Sequence, residues 1–140
     1  MSQSEYVTVI GGGGYVGSAL VPALLDQDYQ VKVIDLFMYG QQVFDSVKDH
    51  PNLKLVTGDI RDPHLLNFEL ADTMALIHLA CISNDSSFDL NPALGKSINY
   101  DAFFHILNAL ENSPVRRFIY ASSSSVYGLR EEPDVTEDSR

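Results

Sequence analysis

In the stretch VTVIGGGGYVGSAL, Val7 to Leu20, an apolar β-like run passes straight into four glycines and then into an apolar helical pattern. The spacing Gly11-x-x-Gly14-x-x-Gly17 lets each glycine do separate work. Gly11 permits a tight backbone turn, Gly14 removes a side chain that would block a pyrophosphate, and Gly17 allows helix and strand to approach closely. The helix start, with Tyr15 and Val16 in its first turn, offers unpaired N–H groups and the positive end of its dipole to an anion. The next β-like run, QVKVID, ends on Asp35, 18 residues beyond Gly17, where a carboxylate would accept hydrogen bonds from an adenosine ribose. Together these residues point to a bound dinucleotide. Asp35 would repel a 2′-phosphate, and DLFMYG places no cation beside it, so NAD is favoured over NADP. No Lys-Ser or Lys-Thr follows the glycines, which excludes a P-loop. A purely structural glycine turn and a strand-end aspartate are the competing readings.

The charge balance sets the limits of such a site. Nineteen acidic residues against nine Lys and Arg give a net charge of −10, the wrong sign for holding a nucleic-acid backbone. Any phosphate must therefore be held locally, by backbone N–H groups. One cysteine, Cys81, excludes an intramolecular disulfide, and His50, His64, His78 and His105 have no zinc-like spacing. No apolar run reaches the roughly 18 residues needed to span a bilayer, and MSQSEY lacks the features of a leader. A reducing, cytoplasmic setting is expected.

The elements that must position the glycines and Asp35 are legible as alternating runs. Segments 6–10, 30–35, 53–58, 74–80 and 117–122 are short, nearly continuous and rich in Val, Ile and Leu, as parallel strands buried on both faces are. Helical patterns fall between them. One covers 14–27 with Val16, Leu20, Ala23 and Leu24 on one face, a weak one covers 41–49, and a short one covers 63–71. A long one covers 92–112, carrying Ala93, Leu94, Ile98, Ala102, Ile106 and Ala109. Asn91 and Pro92 mark the start of the long helix as cap and first position; Asn112, Ser113 and Pro114 mark its stop. Pro22 should kink the first helix. Strand followed by helix, repeated, predicts an α/β fold with a doubly wound, Rossmann-like parallel sheet in the order 3-2-1-4-5. Residues 1–129 would form the NAD-binding domain, and the acidic, aperiodic 130–140 a loop leading onward.

GGGGYVGS, DLFMYG, GDIRD, IHLACIS, the Asn-Pro pair at 91 and 92, SINYD and RFIYASSSSVYG occur in that order over nearly all 140 residues. In this the chain resembles the NAD-dependent epimerase/dehydratase family of the extended short-chain dehydrogenase/reductase superfamily, oxidoreductases and isomerases acting on nucleotide sugars. The resemblance implies that Asp59 receives the adenine amine and Ile60 packs on its ring, while Asp59 and Asp62 can equally serve as turn and helix cap. It places Leu79, Ala80 and Cys81 along the cofactor's ribose and pyrophosphate, with Cys81 a small packed residue, and Asn99 at a structural, water-relay position. His78 is expected to pack. In the family's S-S-x-x-V-Y-G pattern, Ser123 would contact the reacting sugar hydroxyl and Ser122 would lie on the nicotinamide side. Four adjacent serines leave that register open by one residue, and a serine-rich loop without catalytic duty is the alternative.

The family's base is a tyrosine followed four residues later by a lysine. None of Tyr6, Tyr15, Tyr29, Tyr39, Tyr100, Tyr120 or Tyr127 has a lysine at that offset. The resemblance thus implies a cofactor-binding part that stops short of the catalytic helix, expected to turn over no substrate alone. Its complete form would take a nucleotide sugar and dimerise with itself. The alternative is a non-catalytic NAD(H)-binding sensor or partner module.

Overall fold

The computed structural model describes residues 5–83 and 89–128, with residues 136 and 138. Five parallel strands form one sheet: β1 (Tyr6–Ile10), β2 (Val31–Asp35), β3 (Leu53–Thr57), β4 (Thr73–His78) and β5 (Arg117–Tyr120), in the order β3-β2-β1-β4-β5. This is the order expected from the strand–helix repeat. Register runs Val7↔Val31 to Ile10↔Ile34 between β1 and β2, and Val7↔Ala75 to Ile10↔His78 between β1 and β4.

Alternation along the strands divides the core in two, because successive side chains leave opposite faces of a strand. Val7, Val9, Val31, Val33 and Ile77 lie on one face with Val21, Leu25 and Phe44; Ile10, Ile34 and Leu76 lie on the other with Leu66, Leu70, Ala102 and Ile106. Burial on both faces is why the strands read as near-continuous apolar runs.

The helices follow the expected order with three departures. Helix α1 (Tyr15–Leu25) runs through Pro22, and it buries Gly17, Val21 and Leu25 rather than the predicted stripe. Val16 is 58% exposed, and Leu20 and Leu24 only flank the core. The reason is Gly17, whose close approach to Gly12 sets the helix rotation. The weak helix predicted over 41–49 is a single 3₁₀ turn, Gln42–Phe44, followed by turns with i→i+3 bonds, because Phe44 alone anchors it fully to the core. Helix α2 (Pro63–Glu69) is capped by Asp62, whose carboxylate accepts from His64 N–H.

The long helix is three pieces: α3 (Pro92–Lys96), a π turn (Ser97–Asp101) and α4 (Ala102–Glu111). Asn91 caps α3 through Leu94 N–H at 3.0 Å, as expected. The extra residue of the π turn rotates the stripe, so Ala102, Ile106 and Ala109 are buried in α4 but Gly95, not Ala93, is buried in α3. β5 forms the sheet edge, with Ile119 and Tyr120 half exposed. The expected boundary at 129 and nearly all of the acidic 130–140 segment lie outside the described residues.

Candidate functional site

The strand order reverses between β1 and β4, and the carboxyl ends of β1, β2 and β4 open there into a cleft of ≈ 210 Å³. Such a switch point is where open α/β sheets bind ligands, because the loops leave it in opposite directions. Gly11, Gly13 and Gly14 line one wall, with Asp35 to Tyr39 and Asp59, Ile60, Leu79, Ala80 and Cys81 around them. Eight residues assigned to the site from the sequence, Gly11, Gly14, Asp35, Asp59, Ile60, Leu79, Ala80 and Cys81, thus line one cleft, and Ile34, Ile82 and Ile98 add apolar lining that was assigned no site role.

The glycines prove to have unequal reasons. Gly11 has φ +76°, and a Cβ there would lie 2.4 Å from the Ala80 backbone nitrogen, so it serves both the turn and the close approach of the β4 loop. At Gly17 a Cβ would stand 2.1 Å from the Gly12 carbonyl oxygen, so the glycine loop itself, rather than a strand, is what Gly17 lets near. Gly12 packs on Val33, and Gly13 on Asp35 and Phe37. Gly14 differs from all of these. Its φ of −86° suits any residue, and its Cβ would meet only the Gly11 carbonyl at 3.4 Å. Nothing in the protein requires glycine at 14. It is also the N-cap of α1 and gives no side-chain cap, so the first N–H groups of that helix have no partner within it. What remains is an uncapped helix start beside a position where the packing asks for no glycine.

Asp35 is held rather than loose. Its Oδ2 accepts from Gly13 N–H at 2.9 Å and its Oδ1 from Phe37 N–H at 2.7 Å. Phe37 adopts φ +50° and sets its ring edge-on to buried Phe44, which leaves Met38 and Tyr39 exposed along the cleft. Asp35 is therefore a strand-end turn residue and a cleft carboxylate at once. The segment around it is apolar, and among the described residues no Lys or Arg pairs with it.

Across the cleft, Asp59 is bound by Arg61, whose Nε lies 2.9 and 3.0 Å from the two carboxylate oxygens. The Arg61 side chain, foremost, holds the Asp59 carboxyl below the usual carboxylate range, in spite of partial burial. Ile60 is buried in the core and lines the floor of the cleft. Asn99 does not reach the cleft wall: its Oδ1 accepts from Ile82 N–H at 2.8 Å and its Nδ2 donates to the Ile82 carbonyl at 2.9 Å. It therefore fixes the loop after β4, and the π turn is what aims it there.

Cys81 is exposed on the cleft, which corrects the expectation of a packed residue: β4 ends at His78, so the loop has already left the core. His78 is packed as expected, 3% exposed and clustered with the rings of Phe103 and Tyr120, and burial pushes its pKa down to about 4. Ser122 and Ser123 are exposed beyond β5, at the same carboxyl edge, but they do not line the cleft. Tyr15 and Val16 are likewise exposed at the start of α1. Among the described residues no group of His, Cys, Asp or Glu could hold a metal ion, and no helix is long and apolar enough to cross a membrane.

Residues 7–140 match the family model of the NAD dependent epimerase/dehydratase family. Among curated proteins, the chain is 32% identical over 135 residues to the low-salt glycan biosynthesis protein Agl12 of Haloferax volcanii, covering 94% of this chain and 44% of that protein. It is 31% identical over 134 residues to a UDP-glucose 4-epimerase of Lactobacillus helveticus, covering 39% of it. The fold superposes with a TM-score of 0.88 and 29% identity on DesIV, a dTDP-glucose 4,6-dehydratase from Streptomyces venezuelae solved with NAD and TYD bound. That match covers 96% of this chain and 44% of DesIV. The chain thus spans less than half the length of these relatives.

Proposed function

The chain belongs to the NAD-dependent epimerase/dehydratase family, whose cofactor is NAD, and from that premise we propose that it forms the NAD-binding portion of an oxidoreductase acting on a nucleotide sugar. The observation that carries the proposal is Gly14, the one motif glycine that the protein's own packing does not require, set at an uncapped helix start inside the switch-point cleft. A pyrophosphate there would receive N–H groups from the first turn of α1, with Tyr15 and Val16 contributing backbone, while Gly11 and Gly17 keep the loop closed under it. Asp35, already aligned by Gly13 and Phe37, accepts from the adenosine ribose. Asp59 takes the adenine amine and Ile60 supports the ring. Leu79, Ala80 and Cys81 border the ribose and pyrophosphate, and Asn99 holds their loop through Ile82.

When bound, NAD supplies a reversible hydride acceptor. The chain's own contribution to the chemistry would come from the serine loop, where Ser123 hydrogen-bonds the reacting sugar hydroxyl and Ser122 borders the nicotinamide side. The tyrosine base and its lysine have no counterparts in this sequence, so the 140 residues by themselves orient a cofactor but lack the proton acceptor that a hydroxyl must lose its proton to. Dimerisation with a second copy is part of the proposal for the complete enzyme only.

Titration with reduced cofactors tests this directly. The chain has no tryptophan, so nicotinamide fluorescence reports binding cleanly. NADH should bind, NADPH at least about tenfold more weakly because of Asp35, and Asp35→Ala should weaken NADH by a similar factor. Equal affinity for NADH and NADPH would overturn the role of Asp35. Conversion of a UDP- or dTDP-sugar by the 140-residue chain above background would overturn the assignment of a purely cofactor-binding role.

A further inference from the structure

Arg61 follows Asp59 and Ile60 in the turn between β3 and α2, and its guanidinium reaches across to the π turn. Its Nη2 lies 2.5 Å from Asp59 Oδ2 and its Nε 2.9 Å from Oδ1, and its Nη1 lies 3.3 Å from Ser97 Oγ. Its own backbone N–H donates to Asp59 Oδ1 at 2.9 Å. Ser97 is itself tied down, donating to the Leu94 carbonyl at 2.8 Å. Asp59 is thus clamped from two directions, and the clamp is anchored to the element that carries Asn99 and Ile98.

An ion pair this exposed adds little to stability, since solvent screens it and side-chain entropy opposes it. Orientation is a different matter. A forked guanidinium contact restrains the plane of a carboxylate in a way that a single charge does not. It also favours the ionised form, which only accepts hydrogen bonds. An acceptor of fixed direction at the rim of a purine site attracts an exocyclic amine and repels a carbonyl oxygen in the same place.

We propose that Arg61 is a positioning residue for base selectivity: by clamping Asp59 it makes the cleft choose a 6-amino purine dinucleotide over a 6-oxo one. The inference rests on the reading of Asp59 as the acceptor for the adenine amine. Arg61 makes no contact with the base; it acts through Asp59.

The test compares NAD with nicotinamide hypoxanthine dinucleotide, which carries oxygen where adenine has its amine, by calorimetric titration of the purified chain. The unmodified chain should prefer NAD by roughly tenfold or more. Arg61→Met should bring the ratio to within about threefold, chiefly by weakening NAD and leaving the hypoxanthine analogue nearly unchanged, and Arg61→Lys, which keeps the charge but not the fork, should restore only part of the preference. Equal weakening of both dinucleotides by Arg61→Met would mean a merely structural role and overturn the proposal. Retention of the full preference in Arg61→Met would also overturn it, while leaving the Asp59 reading intact. Absence of any preference in the unmodified chain would remove the Asp59 reading, and the role of Arg61 with it.

Discussion

The two ends of the same sheet treat polar groups in opposite ways. At the amino ends of the strands, Lys32 is 1% exposed, yet its ammonium donates to the Glu69 carbonyl at 2.8 Å and to Asp72 at 2.5 Å, and stands 4.8 Å over the Tyr6 ring. Lys54 completes the group by pairing with Glu69 at 3.0 Å, and Thr8 and Thr73 hydrogen-bond beside it. The buried polar groups named there are answered by the protein itself. At the carboxyl ends, α1 begins without a side-chain cap, Gly14 leaves room for a Cβ, and Asp35 and Asp59 are oriented by neighbours while still lining a cleft. One end commits its polar groups to the fold, whereas the other leaves them facing a cleft, and the sheet between them lets the two be separated.

If this division is right, mutations at the two ends should separate stability from binding. The largest effect is expected at the closed end. Lys32→Met should lower unfolding free energy by about 3–5 kcal/mol, because it leaves buried carboxylate and carbonyl groups short of a partner, and should not change NAD affinity of the folded protein. Chemical denaturation paired with titration measures both quantities. A stability change below about 1 kcal/mol would show that the network is not essential to the fold.

Acid should act next most strongly, through His78, the buried last residue of β4 at the carboxyl end. Its folded pKa is about 4 against an ordinary 6.5, so the unfolded chain binds the proton first as pH falls. Its contribution to stability is therefore complete above pH 6.5 and is lost progressively down to about pH 4, by about 3 kcal/mol at most. His78→Phe should flatten that part of the stability–pH curve, and an unchanged curve would mean that other groups carry the acid sensitivity.

The glycines sharpen the contrast within the open end. Gly17→Ala should cost about 2 kcal/mol of stability as well as NAD binding, since its Cβ would strike backbone. Gly14→Ala should leave stability within about 0.5 kcal/mol yet weaken NAD at least about tenfold. Equal NAD affinity in Gly14→Ala would remove the pyrophosphate from that position. Smallest of all, Ser123→Ala should leave NAD affinity within about twofold. Loss of cofactor binding there would transfer Ser123 from the substrate to the cofactor.

Much of this was open to reading from residue types alone, and the failures are instructive. Gly11, Gly14, Asp35, Ile60 and Ala80 meet at one cleft as their motifs imply. The caps at Asp62 and Asn91 stand where proline follows them. Lys32, by contrast, reads as an ordinary polar interruption of a strand, and its partners Glu69 and Asp72 lie nearly forty residues away. The rotation of α1 is not legible in the sequence because a glycine has no hydropathy to advertise the side it buries. The π turn is hidden for a similar reason: the apolar stripe is equally compatible with an uninterrupted helix, and only the bonds between Asn99 and Ile82 distinguish the two.

The sequence by itself determined the strand–helix alternation, the five-strand order that follows from right-handed crossovers, the acidic charge and the residue types of a dinucleotide loop. Each depends on periodicity or on neighbours a few residues apart, which local sterics and hydrogen bonding decide. Tertiary structure alone decided that Asp35 is aligned by Gly13, that Arg61 spans from Asp59 to Ser97, that Cys81 faces the cleft, and that Lys32 can be buried at all. The contacts among those outcomes join segments 22 to 40 residues apart, and such proximity exists only once the sheet has brought the segments together.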